Sequence, residues 1–161
     1  MRIGQLERAW GAEALQPAVG WKVWRLEHNA EQTRLRSVLY GDFWPVDEPV
    51  EAVCRRLLRS SHEPPTRGCE CGIHAGRELG AWDHYLAIDA ETRVFGRVLL
   101  WGSVLEGAIG WRATRARPVE IFVPPAVADA AGVAEGLRAY GVPVHILEDV
   151  AVLAAEEVPA R

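Results

Sequence analysis

The sequence predicts an α+β fold: a mainly antiparallel sheet curved toward a barrel, a central Cys/His loop, and a C-terminal helix–strand unit. Three observations predict it. Two long β-type stretches, "RVFGRVLLWGSVLEG" (93–107) and "WRATRARPVEIFVPP" (111–125), flank the tight turn "GAIG". All three cysteines of the 161-residue chain fall in one short stretch, Cys54 to Cys71. After residue 125 the pattern changes to "AVADAAGVAEGLRAYG" and then "VPVHILE", a helix followed by a short strand.

Taken in order, residues 1–19 read as an N-terminal extension to a single domain covering 1–161. "GWKVWRLEHN" (20–29) and "TRLRSVLYGDF" (33–43) are rich in aromatic, leucine and β-branched residues, with the turn-like "HNAEQ" between them, and predict an antiparallel hairpin. Trp21 and Trp24, three apart on a strand, should point to opposite faces. The metal-loop region spans 44–75 and opens with a proline-punctuated connection (44–51). "PVEAVCRRLLRS" fits a helix through Val50, Val53, Cys54, Leu57 and Leu58, or a short strand through "VEAVC". Leu79, Trp82 and Leu86 predict a helix over 76–87. Gly96 and Gly102 predict bulges in the long hairpin, which suits a twisted sheet. Residues 148–161 form a tail.

Composition is that of a globular protein: 49% hydrophobic, 25% charged, formal net charge −4. That balance argues against bulk nucleic-acid or membrane-surface binding, and no apolar run reaches the length of about 18 residues that spans a bilayer. The N-terminus lacks the apolar core of a signal peptide, so a cytoplasmic location is expected. A reducing compartment disfavours disulfides, and Cys69 and Cys71 are too close in the chain for an unstrained one.

Free buried thiols or metal ligands remain, and the clustering of all three cysteines favours ligands. In "HEPPTRGCECGIH" the two side chains of Cys69 and Cys71 converge if the backbone bends, and Gly68 and Gly72 supply the bend. Pro64 and Pro65 stiffen the approach. Cys54, His62, Cys69 and Cys71 make a saturated Cys3His set suited to structural zinc. His74 competes with His62 for the fourth position, and three Cys with one His could also hold an iron–sulfur cluster.

The order "GWKVWRL…LRSVLY…WPVDEPVEAVC…H…P…CECGIHA…VFGRVLLWGSVLEGAIGWRATRARPVEIF…YGVPV" resembles a group of small uncharacterised bacterial proteins. Their pattern is a C…H…CxCGI(Y/H)A loop followed by GxVxLWGxV…G(Y/W)RA, and the resemblance runs from about Gly20 to Val144. It implies a shared fold and the same Cys/His loop, and it brings no activity with it. The position of His74 is usually Tyr there, which favours His62 as the ligand; Trp111 also stands where the pattern has Tyr.

Catalytic signatures are missing. "HEPPT" has Thr66 where a metalloprotease helix needs its second His, and the zinc-deaminase, nucleophile-elbow, P-loop and dinucleotide motifs are absent. His84 in "WDHY" reads as a surface residue beside a core Trp82. Among seven tryptophans and two arginine groups, Trp101, Trp111, Arg112, Arg115 and Arg117 suggest a partner-binding face for a protein or nucleic acid. The sequence thus favours a non-enzymatic zinc-stapled binding module, with a metal-dependent enzyme or a small-molecule or redox sensor as the alternative.

Overall fold

A computed structural model describes residues 8–9, 17–56 and 62–149. Eight strands form one sheet: β1 (Arg8–Ala9), β2 (Ala18–His28), β3 (Thr33–Ser37), β4 (Val50–Glu51), β5 (Ile73–Gly76), β6 (Arg93–Glu106), β7 (Gly110–Val123) and β8 (Val144–Ile146). Two short α-helices, α1 (Asp83–Ala87) and α2 (Ala130–Leu137), complete the mixed α+β architecture. Every strand pairing is antiparallel except β7 with β8, where α2 lies in the crossover.

The pairings run in a ring. β6 pairs with β2, β2 with β5, β5 with β7, and β7 returns to β6. The β2–β5 side is held by the single pair Trp21↔Gly76, so the ring falls short of a complete barrel. The predicted long hairpin is β6–β7. Its register shifts at Arg97/Val98 and at Trp101/Val104, beside Gly96 and Gly102 as the sequence suggested. The second shift lets Ala113 and Ala116, three residues apart, both turn inward and lie fully buried.

Two apolar clusters lie on opposite faces of β2. Inside the ring, Trp24, Leu35, Val94, Val98, Leu100 and Ile121 pack with Val133 and Leu137 of α2. Outside it, Trp21, Val23, Phe95 and Phe122 are covered by Trp82. Trp21 and Trp24 do face opposite ways, and both are buried. Each fully buried large side chain contributes roughly 1.5–3 kcal/mol to folding.

Several elements are shorter than predicted, each for a local reason. The strand expected over 33–43 stops at Ser37, because Ser37 N–H donates to Asp42 C=O (2.8 Å) and Gly41 N–H to Ser37 C=O (3.0 Å), folding the chain back. The helix expected over 76–87 is a 3-10 turn (Leu79–Trp82) running into α1. α2 starts only at Ala130, capped by the Asp129 carboxylate on Gly132 N–H. Gly136 inside it is explained by packing: a Cβ there would stand 2.1 Å from Thr33 Oγ1 on β3. Of the predicted extension and tail, Arg8–Ala9 pairs with β6 and Ala18 and Val19 begin β2; 1–7, 10–16 and 150–161 lie outside the described residues.

Candidate metal centre

β4 ends at Glu51, and Ala52 N–H donates to Thr114 C=O (2.8 Å), which keeps the chain beside β7. Residues 52–56 are neither helix nor strand, so Cys54 arrives on irregular chain; 57–61 lie outside the described residues. The loop then resumes at His62. Thr66 Oγ1 donates to Glu63 C=O (2.8 Å) and Cys69 N–H to Thr66 C=O (3.2 Å), forming the turn that delivers the two close cysteines. Gly68 and Gly72 carry φ of +81° and +114°, conformations that disfavour a side chain. Gly72 is doubly required, since a Cβ would lie 3.0 Å from Pro65 and 3.1 Å from Arg112. The Pro64–Pro65 peptide is cis.

These turns bring Cys54, His62, Cys69 and Cys71 together. One ligand atom from each lies within 4.8 Å of all the others. Cys54 Sγ stands 3.7 Å from Cys69 Sγ, and Cys71 Sγ stands 3.5 Å from His62 Nε2. With bonds of about 2.3 Å to sulfur and about 2.0 Å to nitrogen, a tetrahedral ion has S···S edges of about 3.8 Å and S···N edges of about 3.5 Å. Both measured edges fit. All three cysteines are free thiols, and a disulfide would need its sulfurs at about 2.05 Å.

The cluster is electrostatically uneven. Burial opposes ionisation of Cys69, but backbone and side-chain hydrogen bonds from Cys71, with others from Cys54 and His62, outweigh it and bring the thiol to about 7. Burial, together with the neighbouring Cys69 and Cys54, pushes Cys71 up to about 11. One thiolate forms easily and the next is held back, so a cation is what would let all three ionise.

The loop rests on β7. The Arg112 guanidinium, 1% exposed, donates to the carbonyl oxygens of Cys69 and Cys71, the latter at 2.6 Å. Thr114 Oγ1 donates to Pro64 C=O at 3.0 Å. Arg112 thus anchors the loop and is turned away from solvent, contrary to its expected place on a partner face. Of the other residues expected there, Arg115 and Arg117 are exposed, with Arg115 Nε 3.0 Å from Glu51, while Trp101 and Trp111 are half-buried and Arg77 stacks on Trp111 at 4.6 Å.

His74 stays outside the four-ligand set. It sits on β5, directly opposite Arg112, with its pKa lowered to about 4 by burial and by the positive charges of Lys22 and Arg112. Lys22, the one lysine in the sequence, is buried with its ammonium 2.9 Å from His74 C=O and over the rings of Trp44 and Trp82 at 5.5 and 5.2 Å. Burial lowers its pKa to about 7.

Sequence reasoning missed Arg112 and Thr114 as loop anchors and Lys22 as a buried cation. For Lys22 a signal existed: a lone lysine inside "GWKVW" has no polar neighbours and must be covered. For Arg112 there was none, because only the tertiary docking of a loop some 40 residues upstream tells it from Arg115. His84 is exposed beside a buried Trp82, as expected, and among the described residues no helix is long and apolar enough to cross a membrane. Comparison of the chain with protein-family models, with curated proteins and with solved structures finds no match.

Proposed function

We propose that this chain is a zinc-stapled, non-enzymatic binding module. The observation that supports it is the Cys54/His62/Cys69/Cys71 set, whose Cys54–Cys69 and His62–Cys71 edges have the lengths of a tetrahedral zinc site. Four protein ligands leave no coordination position for water, which suits a structural role over hydrolysis. An iron–sulfur cluster fits less well, since it needs ligands spread over two or more irons and this set closes on one point. The partner, a protein or a nucleic acid, is met on the sheet surface, where Arg115 and Arg117 stand exposed.

Metal content by mass spectrometry, with a visible spectrum, on protein purified anaerobically without added metal tests the staple. One zinc per chain with no visible band is the expected result. Iron with charge-transfer bands replaces zinc by a cluster, and a metal-free protein ends the proposal. A redox-sensor reading draws on the 3.7 Å approach of Cys54 to Cys69 and the lowered Cys69 thiol. It predicts a Cys54–Cys69 disulfide with zinc release under mild peroxide.

A further inference from the structure

The outward face of the β2–β3 hairpin carries an arrangement that the sheet itself does not favour. Arg25 on β2 lies directly opposite Arg36 on β3 and, on its other side, directly opposite Arg93 on β6. Directly opposed residues on neighbouring strands point to the same face, and like charges so placed destabilise the pair. The row extends one strand further, because Arg36 forms an isolated bridge with Phe43, and its guanidinium stacks on that ring at 4.2 Å. Arg93–Arg25–Arg36–Phe43 is therefore one continuous line across four neighbouring segments of chain.

The acidic groups near the row leave its centre uncompensated. Glu27 pairs with Arg36 at 2.7 Å, and Asp89 with Arg93 at 3.5 Å. Glu148 and Asp149 share a cleft with Arg93, whose buried side chain also donates to Tyr85 C=O. Arg93 is thus a fixed positive neighbour and not a contact. On the hairpin face itself Arg25, Arg34 and Arg36 stand against the single acid Glu27. Arg25 is exposed and has no acidic partner among the described residues. Beside it the turn after β3 exposes aromatic surface: Phe43 is 45% and Tyr40 68% exposed, the latter under Arg55, which is itself paired with Asp42.

We propose that this row binds single-stranded nucleic acid, with Arg25 on a backbone phosphate and Phe43 and Tyr40 stacking on bases. A polyanion relieves the repulsion that the free sheet carries, and flat exposed rings next to cationic groups are what unpaired bases need. A duplex hides its base faces and would leave both rings unused. The inference rests on the binding-module reading but fails separately from it: the zinc staple is judged by metal content, this row by oligonucleotide affinity.

The test uses the zinc-loaded full chain, with fluorescence anisotropy of labelled oligouridylate and oligothymidylate at low salt and an acidic polyglutamate peptide as competitor. Both oligonucleotides should bind, with Arg25→Gln lowering the slope of log K against log salt by about 0.7. Phe43→Ala should weaken binding about tenfold. Thermal unfolding supplies an independent readout: Arg25→Gln should raise the midpoint by about 1–3 °C in the free protein, because it removes the like-charge contact. Affinity unchanged by Arg25→Gln, no binding of either strand, or a lowered midpoint overturns the proposal. Displacement of the strands by polyglutamate, with Phe43→Ala silent, overturns it in favour of an acidic protein partner. Preference for uridylate over thymidylate identifies RNA as the natural strand.

Discussion

Inside the ring, Val94, Val98, Leu100, Ala113 and Ala116 are fully removed from water and belong to one apolar cluster. In the loop from His62 to Gly72, only Pro65 and Cys69 are buried, and the segment is held by Arg112, Thr114 and its own ligand atoms. One region is stabilised by surface area and the other by a handful of directed polar contacts that an ion would complete. The difference teaches that a metal here need not hold the sheet together. It would fix a loop that apolar packing does not hold.

That comparison can be broken. Cys71→Ser, or chelation of the native protein, should have the largest effect on the loop. Several kcal/mol are at stake out of the roughly 10–16 that a structural zinc contributes in small metal-dependent modules. Zinc release measured with a chromogenic chelator should be complete, while the far-ultraviolet β signal persists. Loss of that signal in step with the metal would show that the two regions are one cooperative unit. The converse substitution is Leu100→Ala, which should cost about 2–5 kcal/mol in denaturant unfolding and leave one zinc per folded chain.

Arg112→Met sharpens the boundary between the regions. It leaves the carbonyls of Cys69 and Cys71 without their buried donor, and it should weaken zinc binding about 10–100-fold by competition titration, with little change in sheet content. A loss of sheet stability as large as that of Leu100→Ala would assign Arg112 to the core instead. The pH-dependent effect belongs to Lys22. Burial lowers its amine to about 7 in the folded chain against about 10.4 when unfolded, so between those values the unfolded chain holds a proton that the folded chain lacks. Stability from this group therefore rises with pH across that window and reaches its floor below 7. Urea unfolding midpoints of the zinc-saturated protein at several pH values should show this slope, and Lys22→Met should remove it.

Much of this was legible in the chain. The β6–β7 hairpin announced itself through two apolar stretches around "GAIG", and the ligand set through the crowding of three cysteines and His62. Strand periodicity reports which side a residue faces only until a bulge resets it, and of the two shifts in β6–β7 one lies at Ala113–Arg115 and the other at Pro118–Glu120. Arg112 and Arg115, which look alike in sequence, meet opposite fates because the Cys69–Cys71 turn docks on one and leaves the other exposed. The ring closure was hidden for a different reason. Trp21↔Gly76 is one contact across more than 50 residues of chain, and no local pattern encodes it.

The position of the loop's anchors along the chain has a consequence for assembly. All four ligand residues lie between Cys54 and Cys71, whereas Arg112 stands 43 and 41 residues beyond the cysteines whose carbonyls it holds, and Thr114 stands 50 beyond Pro64. During synthesis the ligands are complete before β7 has been made. An ion can be captured by short-range loop closures, which are fast, and the slower long-range pairing of β7 then finds a loop already shaped to receive it. For a zinc-stapled chain of the kind proposed, metal supply at the time of translation, and not only in the finished protein, would set how much of the loop reaches its native form.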